Sequence, residues 1–300
     1  MIAFDLGSNT LRCVVIDCAT LEIVFEDSII VKSADGIAKN GNISDDAIKR
    51  IIDAILLVGS KYDIVNNQVK AVATEALRRA KNATMVLETI EKQTGIKFEV
   101  IDGDEEARLT LLAVKHRLNT LGIEKSFMLV DIGGGSTEII FYGNGGNYIS
   151  KSFPLGIVTL TQKYNDLRII KEKIEEDSVG IYDFIKTTTK NFDNIDIFVA
   201  TAGTPTTIAA MKLGMSYESY DSKTINGTII TIDDIDVEFD KLLSSDEKER
   251  TYMVGVGRED LITTGVLILK YLLKSAGFKE CIVIDDGLRE GVALEECKKI

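Results

Sequence analysis

Apolar positions at the start of the chain fall into short blocks separated by small polar residues, the texture of strands joined by tight turns. Strand-like runs cover 2–5, 11–17, 22–31, 69–73, 97–101, 127–131, 138–142, 147–153, 196–200 and 281–285. From residue 44 onward a second texture enters, with apolar residues recurring at helical spacing. Ser44 is placed to cap "DDAIKRIIDAILLV", and Gly95 to end "ATMVLETIEKQT" as a left-handed residue. Further helical patterns cover 104–118, 168–188, 204–213, 233–243, 258–275 and 289–298. Strands first, then strands alternating with helices, predict an α/β protein.

Two segments resemble each other half a chain apart, "IAFDLGSNTLRCVVID" (2–17) and "MLVDIGGGSTEIIFYG" (128–143). Each reads as a strand, an Asp, an apolar residue, a glycine turn with small polar residues, and a second strand. This weak repeat predicts two similar lobes, each opening with a hairpin and facing the other across a cleft. A turn stripped of side chains lets backbone N–H groups approach an anion, and consecutive amides form a nest for one. Gly7, Ser8, Asn9 and Thr10 make up the first such turn; Gly133, Gly134, Gly135, Ser136 and Thr137 make up the second. Asp5 and Asp131 precede them. A carboxylate repels a phosphate but can hold a metal ion or a metal-bound water beside it. Two other phosphate motifs fail on context: a dinucleotide fingerprint leads into a helix, whereas "EIIFYG" reads as a strand, and no Gly-Lys-Ser/Thr follows these glycines.

A third strand-to-helix turn lies in "FVATAGTPTTIAAM" (198–211), where Gly203 can approach a ligand, Thr204 is placed to cap and Pro205 to open the helix. "AVATEALRRAKN" (71–82) sets Arg78 and Arg79 just after a strand, within reach of a phosphate or simply solvated. "VIDGDEEARLTLLAV" (100–114) sets Glu105 and Glu106 at a helix start, where acids suit the dipole. One of the two can instead activate a water; side chains one residue apart on a helix diverge by roughly 100°, so only one faces a given site. Glu138, just past the second turn, is a further carboxylate on the opposite strand face from Ile139.

Composition narrows the function. The net charge is −12 from 47 acids and 35 bases, which argues against general nucleic-acid binding. A single histidine, His116, excludes a multi-histidine metal site. Cys13, Cys18, Cys281 and Cys297 show no CxxC spacing and have apolar neighbours, so we expect reduced thiols of a cytoplasmic protein. No apolar run reaches the roughly 20 residues of a membrane span, and "MIAF" begins a strand rather than a signal peptide.

"DLGSNT", "ATEALRRAKN", "DGDEEARL", "DIGGGSTE", "ATAGT" and "DDGLREGV", in this order from residue 2 to about 296, together resemble the Ppx/GppA phosphatases of the actin, sugar-kinase and chaperone ATPase superfamily. The resemblance implies two ribonuclease-H-like, actin-like ATPase domains flanking a central cleft: an N-terminal lobe of 1–116 plus 285–300 and a C-terminal lobe of 117–284. It implies Mg²⁺-assisted hydrolysis of a terminal phosphate from inorganic polyphosphate, or of the 5′ γ-phosphate of guanosine pentaphosphate, a nucleotide of the stringent response. By position, Glu106 matches the general base and Asp131 the metal- or water-orienting aspartate. Glu138 matches a second catalytic carboxylate, and Arg78 a phosphate-binding arginine. Asp5 and the turns 7–10 and 133–137 match the phosphate loops, with Asp5 and Asp131 the candidate metal ligands. Arg258, in "VGVGREDLITTG", matches a family arginine to which we assign no role. Long members append an all-helical, histidine-containing region; the short two-lobe form is expected here, without processive handling of long chains. The implied partners are polyphosphate or guanosine penta- or tetraphosphate, without nucleic acid or membrane, and a homodimer is compatible with this reading. Two alternatives use the same scaffold: an ATP-dependent small-molecule kinase, and a non-catalytic sensor of guanosine tetra- or pentaphosphate.

Overall fold

The structure is a computed structural model and describes residues 1–192 and 194–299; Asp193, and Ile300 at the end of the expected N-terminal lobe, lie outside it. The chain separates into two compact units, Met1–Ala113 with Leu288–Ile300, and Val114–Gly287.

The first unit begins with β1 (Ile2–Leu6), β2 (Thr10–Ile16) and β3 (Ile23–Ile30), then α1 (Ile37–Asn40) and α2 (Asp45–Lys61). Next come β4 (Val69–Ala73), α3 (Glu75–Arg79), α4 (Ala83–Thr94), β5 (Phe98–Val100) and the start of α5 (Gly103–Thr120). The predicted caps form: Ser44 Oγ accepts the Ala47 N–H at 3.2 Å, and Gly95 ends α4 at φ 74°. The sheet order is β3-β2-β1-β4-β5, with β1–β2 and β2–β3 antiparallel and β1–β4 and β4–β5 parallel.

The second unit holds β6 (Phe127–Ile132), β7 (Thr137–Tyr142) and β8 (Tyr148–Phe153), followed by α6 (Ile157–Tyr164), α7 (Leu167–Asp177) and α8 (Val179–Asn191). It continues through β9 (Ile197–Thr201), α9 (Gly203–Lys212), α10 (Ser222–Ile225) and β10 (Thr228–Thr231). It closes with α11 (Ile232–Ser244), α12 (Glu247–Val254), α13 (Ile262–Ala276) and β11 (Glu280–Val283). Its sheet order is β10-β11-β9-β6-β7-β8. Removing β10 leaves β8-β7-β6-β9-β11, with the same alternation of antiparallel and parallel neighbours as the first sheet. The repeat seen in the sequence is therefore a duplicated topology. Leu129, Ile139, Val199 and Leu269 are wholly buried in this unit, as are Ala3 and Val14 in the first.

The terminal helix α14 (Leu288–Cys297) belongs to the first unit, where it packs on β1, β2 and α5. A Cβ on Gly291 would stand 2.0 Å from the Leu109 carbonyl oxygen, so only glycine lets the two backbones meet. Here the thiol expectation is corrected. Cys18, in the loop after β2, and Cys297, at the end of α14, are joined by a disulfide with their Cα atoms 5.0 Å apart. Cys13 and Cys281 are free and buried. Several element readings also change. The pattern at 168–188 is two helices broken at Ser178; α13 starts at Ile262 rather than 258; and the helices α1, α3, α6, α10 and α12 and strand β10 had no counterpart in the reading.

Candidate active site

In an open α/β sheet, ligands gather outside the carboxyl ends of the parallel strands. In the first unit those ends carry the 7–10 turn after β1, α3 after β4, and the loop into α5 after β5. Backbone bonds lock them side by side: the Thr74 N–H donates to the Leu6 carbonyl at 3.2 Å and the Ile101 N–H to Ala73 at 3.0 Å. Asp5 is on the last turnward stretch of β1, only 9% exposed, in register with Arg12 of β2.

The 7–10 turn is held from one side. Gly7 N–H donates to the Thr10 carbonyl at 3.0 Å, closing the hairpin. The Gly7 carbonyl accepts the Ser33 hydroxyl, the Ser8 carbonyl accepts the Ala34 N–H, and the Asn9 carbonyl accepts the N–H groups of Val31 and Lys32, each N–H bond 2.9 Å long. In a trans peptide the N–H points opposite its carbonyl. With the carbonyls tied to 31–34, the Ser8 and Asn9 N–H groups are turned away from that segment.

Glu106 lies in the first turns of α5 at 8% exposure, and its Oε2 accepts Arg78 Nη1 at 2.8 Å. Arg78 Nη1 also reaches the Ile101 carbonyl at 2.8 Å, and its Nε reaches Glu75 Oε2 at 3.1 Å. Burial works against the Arg78 charge, but the Glu106 and Glu75 carboxylates outweigh it and raise its pKa. Arg79 remains about half exposed, with only a 3.9 Å approach to Glu75. Glu105 faces elsewhere, chelated by Arg108 through two 2.7 Å bonds. The structure thus divides the two glutamates as the helix geometry requires.

The second unit repeats the turn with different braces. Gly133 N–H donates to the Ser136 carbonyl at 2.9 Å. The first N–H groups of α6 then seize the turn's carbonyls: Ile157 to Gly133 at 3.0 Å, Val158 to Gly134 at 2.7 Å, Thr159 to Gly134 at 3.3 Å. These helix-start donors would otherwise lack partners. Their capture of the Gly133 and Gly134 carbonyls turns the Gly134 and Gly135 N–H groups to the other side. Contact is so close that a Cβ on Gly156 would stand 2.5 Å from Gly134 and 2.6 Å from Gly135. Thr137 Oγ1 adds a 2.6 Å bond to the Leu155 carbonyl, and Ser136 is buried.

Asp131 and Glu138 are register partners across β6 and β7. Thr201 of β9 pairs with Asp131, and Ser152 of β8 with Glu138, so the four form a row on one face of the sheet. Glu138 is 1% exposed, and its Oε1 accepts the Ser152 hydroxyl at 2.7 Å. At the end of β9, Ala202 adopts φ 75°, ψ −173°, a region otherwise left to glycine. Helix α9 therefore begins at Gly203, earlier than read. Thr204 does not cap it, its hydroxyl being buried without a protein partner, and Pro205 falls at the third helical position. After β11, Asp286 takes Arg117 in a fork at 2.7 and 3.0 Å, and Thr201 Oγ1 donates to its carbonyl at 2.9 Å. Composition and spacing gave no signal for this pair or for Ser152. Arg258 stacks its guanidinium 5.9 Å from the Tyr217 ring centre. Among the described residues, no group of three or more His, Cys, Asp or Glu is gathered as a metal cage, and no helix is long and apolar enough to cross a membrane.

Two units on one strand plan, each with a glycine turn after its first strand, define the actin-like ATPase class of α/β fold. The chain belongs to the Ppx/GppA phosphatase family, whose model matches residues 14–300. It is similar to the crystal structure of the Aquifex aeolicus member of that family, 32% identical over 99% of this chain and 97% of that one, with a TM-score of 0.74. It shares its fold with an exopolyphosphatase from Cytophaga hutchinsonii, 22% identical over 100% and 98% of the two chains, TM-score 0.81. It is also 25% identical, over 98% of its length, to the bifunctional 3-dehydroquinate synthase/phosphatase of Fusobacterium nucleatum. The chain spans about half of that relative, 46% of its length.

Proposed function

We propose that the chain is a phosphohydrolase that releases the terminal phosphate of inorganic polyphosphate or the 5′ γ-phosphate of guanosine pentaphosphate by attack of water. The observation that carries this reading is the matched construction of the two glycine turns. In each, a different segment ties down the carbonyls, and the N–H groups are turned the other way, as a phosphate cradle requires. Family membership and the name of the Cytophaga hutchinsonii relative favour a polyphosphate-type substrate.

Glu106 is the group we assign to the water. Arg78 donates to its Oε2 and fixes the direction of a carboxylate that we assign to accept a proton from the attacking water. Arg78 also keeps its Nη2, which has only a 3.1 Å ion-pair contact to Glu75, as the nitrogen able to turn toward a phosphoryl oxygen. In the first unit the Ser8 and Asn9 amides, and in the second the Gly134 and Gly135 amides, are the donors we assign to phosphate oxygens, and in the second unit Gly203 with the strained Ala202 allows close backbone approach. Asp131 and Glu138 orient what lies beside that phosphate.

The chain's donors also fit Mg²⁺. The ion takes one or two carboxylates with the rest of its shell from water and phosphate; Asp131 beside the second turn, or Asp5 beside the first, is a hard oxygen ligand of that kind. Bound there, Mg²⁺ would neutralise phosphoryl charge as it develops. The deciding experiment is phosphate release, with and without Mg²⁺, from short polyphosphate, long polyphosphate, guanosine pentaphosphate and ATP. Release from polyphosphate or guanosine pentaphosphate with no phosphorylated acceptor supports the reading. Transfer from ATP to an acceptor would establish the kinase instead, and tight nucleotide binding without release the sensor.

A further inference from the structure

The four cysteines fall into two chemical classes. Cys13 lies inside β2 and Cys281 inside β11, both about 1% exposed. Burial pushes the Cys13 thiol up to about 12, against the opposing pull of Arg289, and burial raises Cys281 as well. Such thiols form no thiolate at neutral pH and are inert. Cys18 and Cys297 are instead half-buried at the surface and already bonded to each other.

Their surroundings are built to present them. Cys18 sits in the 17–22 loop, which is stiffened by its own bonds. Asp17 N–H donates to the Glu22 carbonyl at 3.0 Å, Leu21 N–H to the Asp17 carbonyl at 2.7 Å, and Ala19 N–H to Asp17 Oδ1 at 2.8 Å. Cys297 ends α14, whose opposite end is anchored by Arg289 Nη2 on Glu26 at 2.7 Å and by the Gly291–Leu109 contact. Glu295, two residues before Cys297, takes Arg108 of α5 at 2.6 Å. The disulfide is thus the only covalent cross-link among the described residues on the last turn of α14, joining positions 279 apart in sequence.

We infer that Cys18 and Cys297 form a reversible thiol–disulfide modification site whose co-reactant is a low-molecular-weight disulfide such as oxidised glutathione. The Cys18 or Cys297 thiolate attacks one sulfur of the small disulfide, forming a mixed disulfide and expelling one small thiol. The second protein thiolate attacks the protein sulfur of that mixed disulfide and expels the other. Two protein thiols give up two electrons and two protons, and the oxidant leaves as two small thiols. Excess small thiol runs the sequence backward. The oxidised form pins the end of α14 to the β2–β3 loop; the reduced form removes that tether and leaves the last turn held by the Arg108–Glu295 contact, while the Arg289 end stays fixed. This site does not depend on the phosphohydrolase reading.

Its test is thiol counting joined to thermal unfolding and hydrogen exchange on the whole chain. After treatment with oxidised glutathione, the native protein should show no fast-reacting thiol; after dithiothreitol, two, both mapping by mass to Cys18 and Cys297; and four only when unfolded in reductant. Reduction should lower Tm by roughly 5–10 °C and speed exchange in the last turn of α14 while leaving β6 and β7 unchanged. Re-oxidation should restore both. Cys297→Ser should show the lower Tm with no response to reductant, and Cys13→Ser should still respond. Two reactive thiols surviving oxidised glutathione, labelling of Cys13 or Cys281 first, or a Tm unmoved by reductant in the unsubstituted protein would each overturn the inference. The thiol count and exchange pattern need no variant to fold.

Discussion

Asp131 and Glu138 stand opposite each other across the β6–β7 ladder, and the Ser152 hydroxyl on the next strand fixes one oxygen of Glu138. Two carboxylates so placed repel each other, which a fold tolerates when a hydroxyl, a cation or a ligand compensates. Glu138→Gln keeps the shape and can still accept from Ser152, so its Tm should stay within about 2 °C of the parent. If Glu138 acts on the reaction, phosphate release should fall about 10²–10³-fold. Asp131→Asn should behave alike, and the double variant should cost less than the sum, as expected of two carboxylates paired across one ladder. Full activity in Glu138→Gln would reduce it to a structural acceptor for Ser152.

Glu106 and Arg78 invite the opposite comparison. Glu106→Gln retains an oxygen for Arg78 but cannot take a proton, so turnover should drop about 10²–10⁴-fold with phosphate binding preserved. Arg78→Ala removes the cation and leaves the buried Glu106 carboxylate short of a partner, which should cost about 1–3 kcal/mol of stability as well as activity. Kinetics and urea unfolding on both variants separate the roles. A Glu106→Gln protein with unchanged kcat would show that another group handles the water.

The hairpins, their glycine turns and the half-chain repeat were legible in the sequence, because each is a local pattern: alternation, turn residues, apolar blocks. What escaped is tertiary. Ile170, Ile174, Ile181 and Ile185 keep helical spacing straight through Ser178, so the pattern carries no trace of the break between α7 and α8. Helix α6 is only eight residues long, too short for its periodicity to stand out, yet its first amides set the second turn. The Cys18–Cys297 bond joins opposite ends of the chain, where spacing says nothing. At Ala202 the expected cap moved because an alanine occupies a backbone region that local propensity assigns to glycine.

Gly156 tests the brace directly. Its φ of −138° suits any residue, so an alanine there is opposed only by space, with Gly134 and Gly135 in the way. Gly156→Ala should push the second turn off α6, costing about 1–3 kcal/mol and reducing activity by more than its loss of stability explains. Gly291→Ala, tighter still against Leu109 in the first unit, should lower stability without singling out phosphate binding. Equal activity losses in the two variants at matched stability would mean that α6 does not shape the cradle.

The Glu105–Arg108 contact makes a pH prediction with a defined sign. The two hydrogen bonds from Arg108 are the main influence and hold the Glu105 carboxyl below its ordinary value of 4.5, with partial burial working against them. A carboxyl whose pKa is lower folded than unfolded adds stability above its unfolded value, and that stability is lost as pH falls through the folded one. Both side chains are more than a third exposed, so screening limits the contribution to under about 1 kcal/mol. Arg108→Ala also loses its 2.6 Å bond to Glu295, which links α5 to α14. At pH 7 the variant should therefore melt roughly 2–4 °C below the parent. The gap should narrow as pH falls below 4.5 and again at high salt. Melting curves from neutral pH to about pH 3 decide it: a gap that stays constant or widens toward acid would show that Arg108 acts through packing rather than through the charge of its partners.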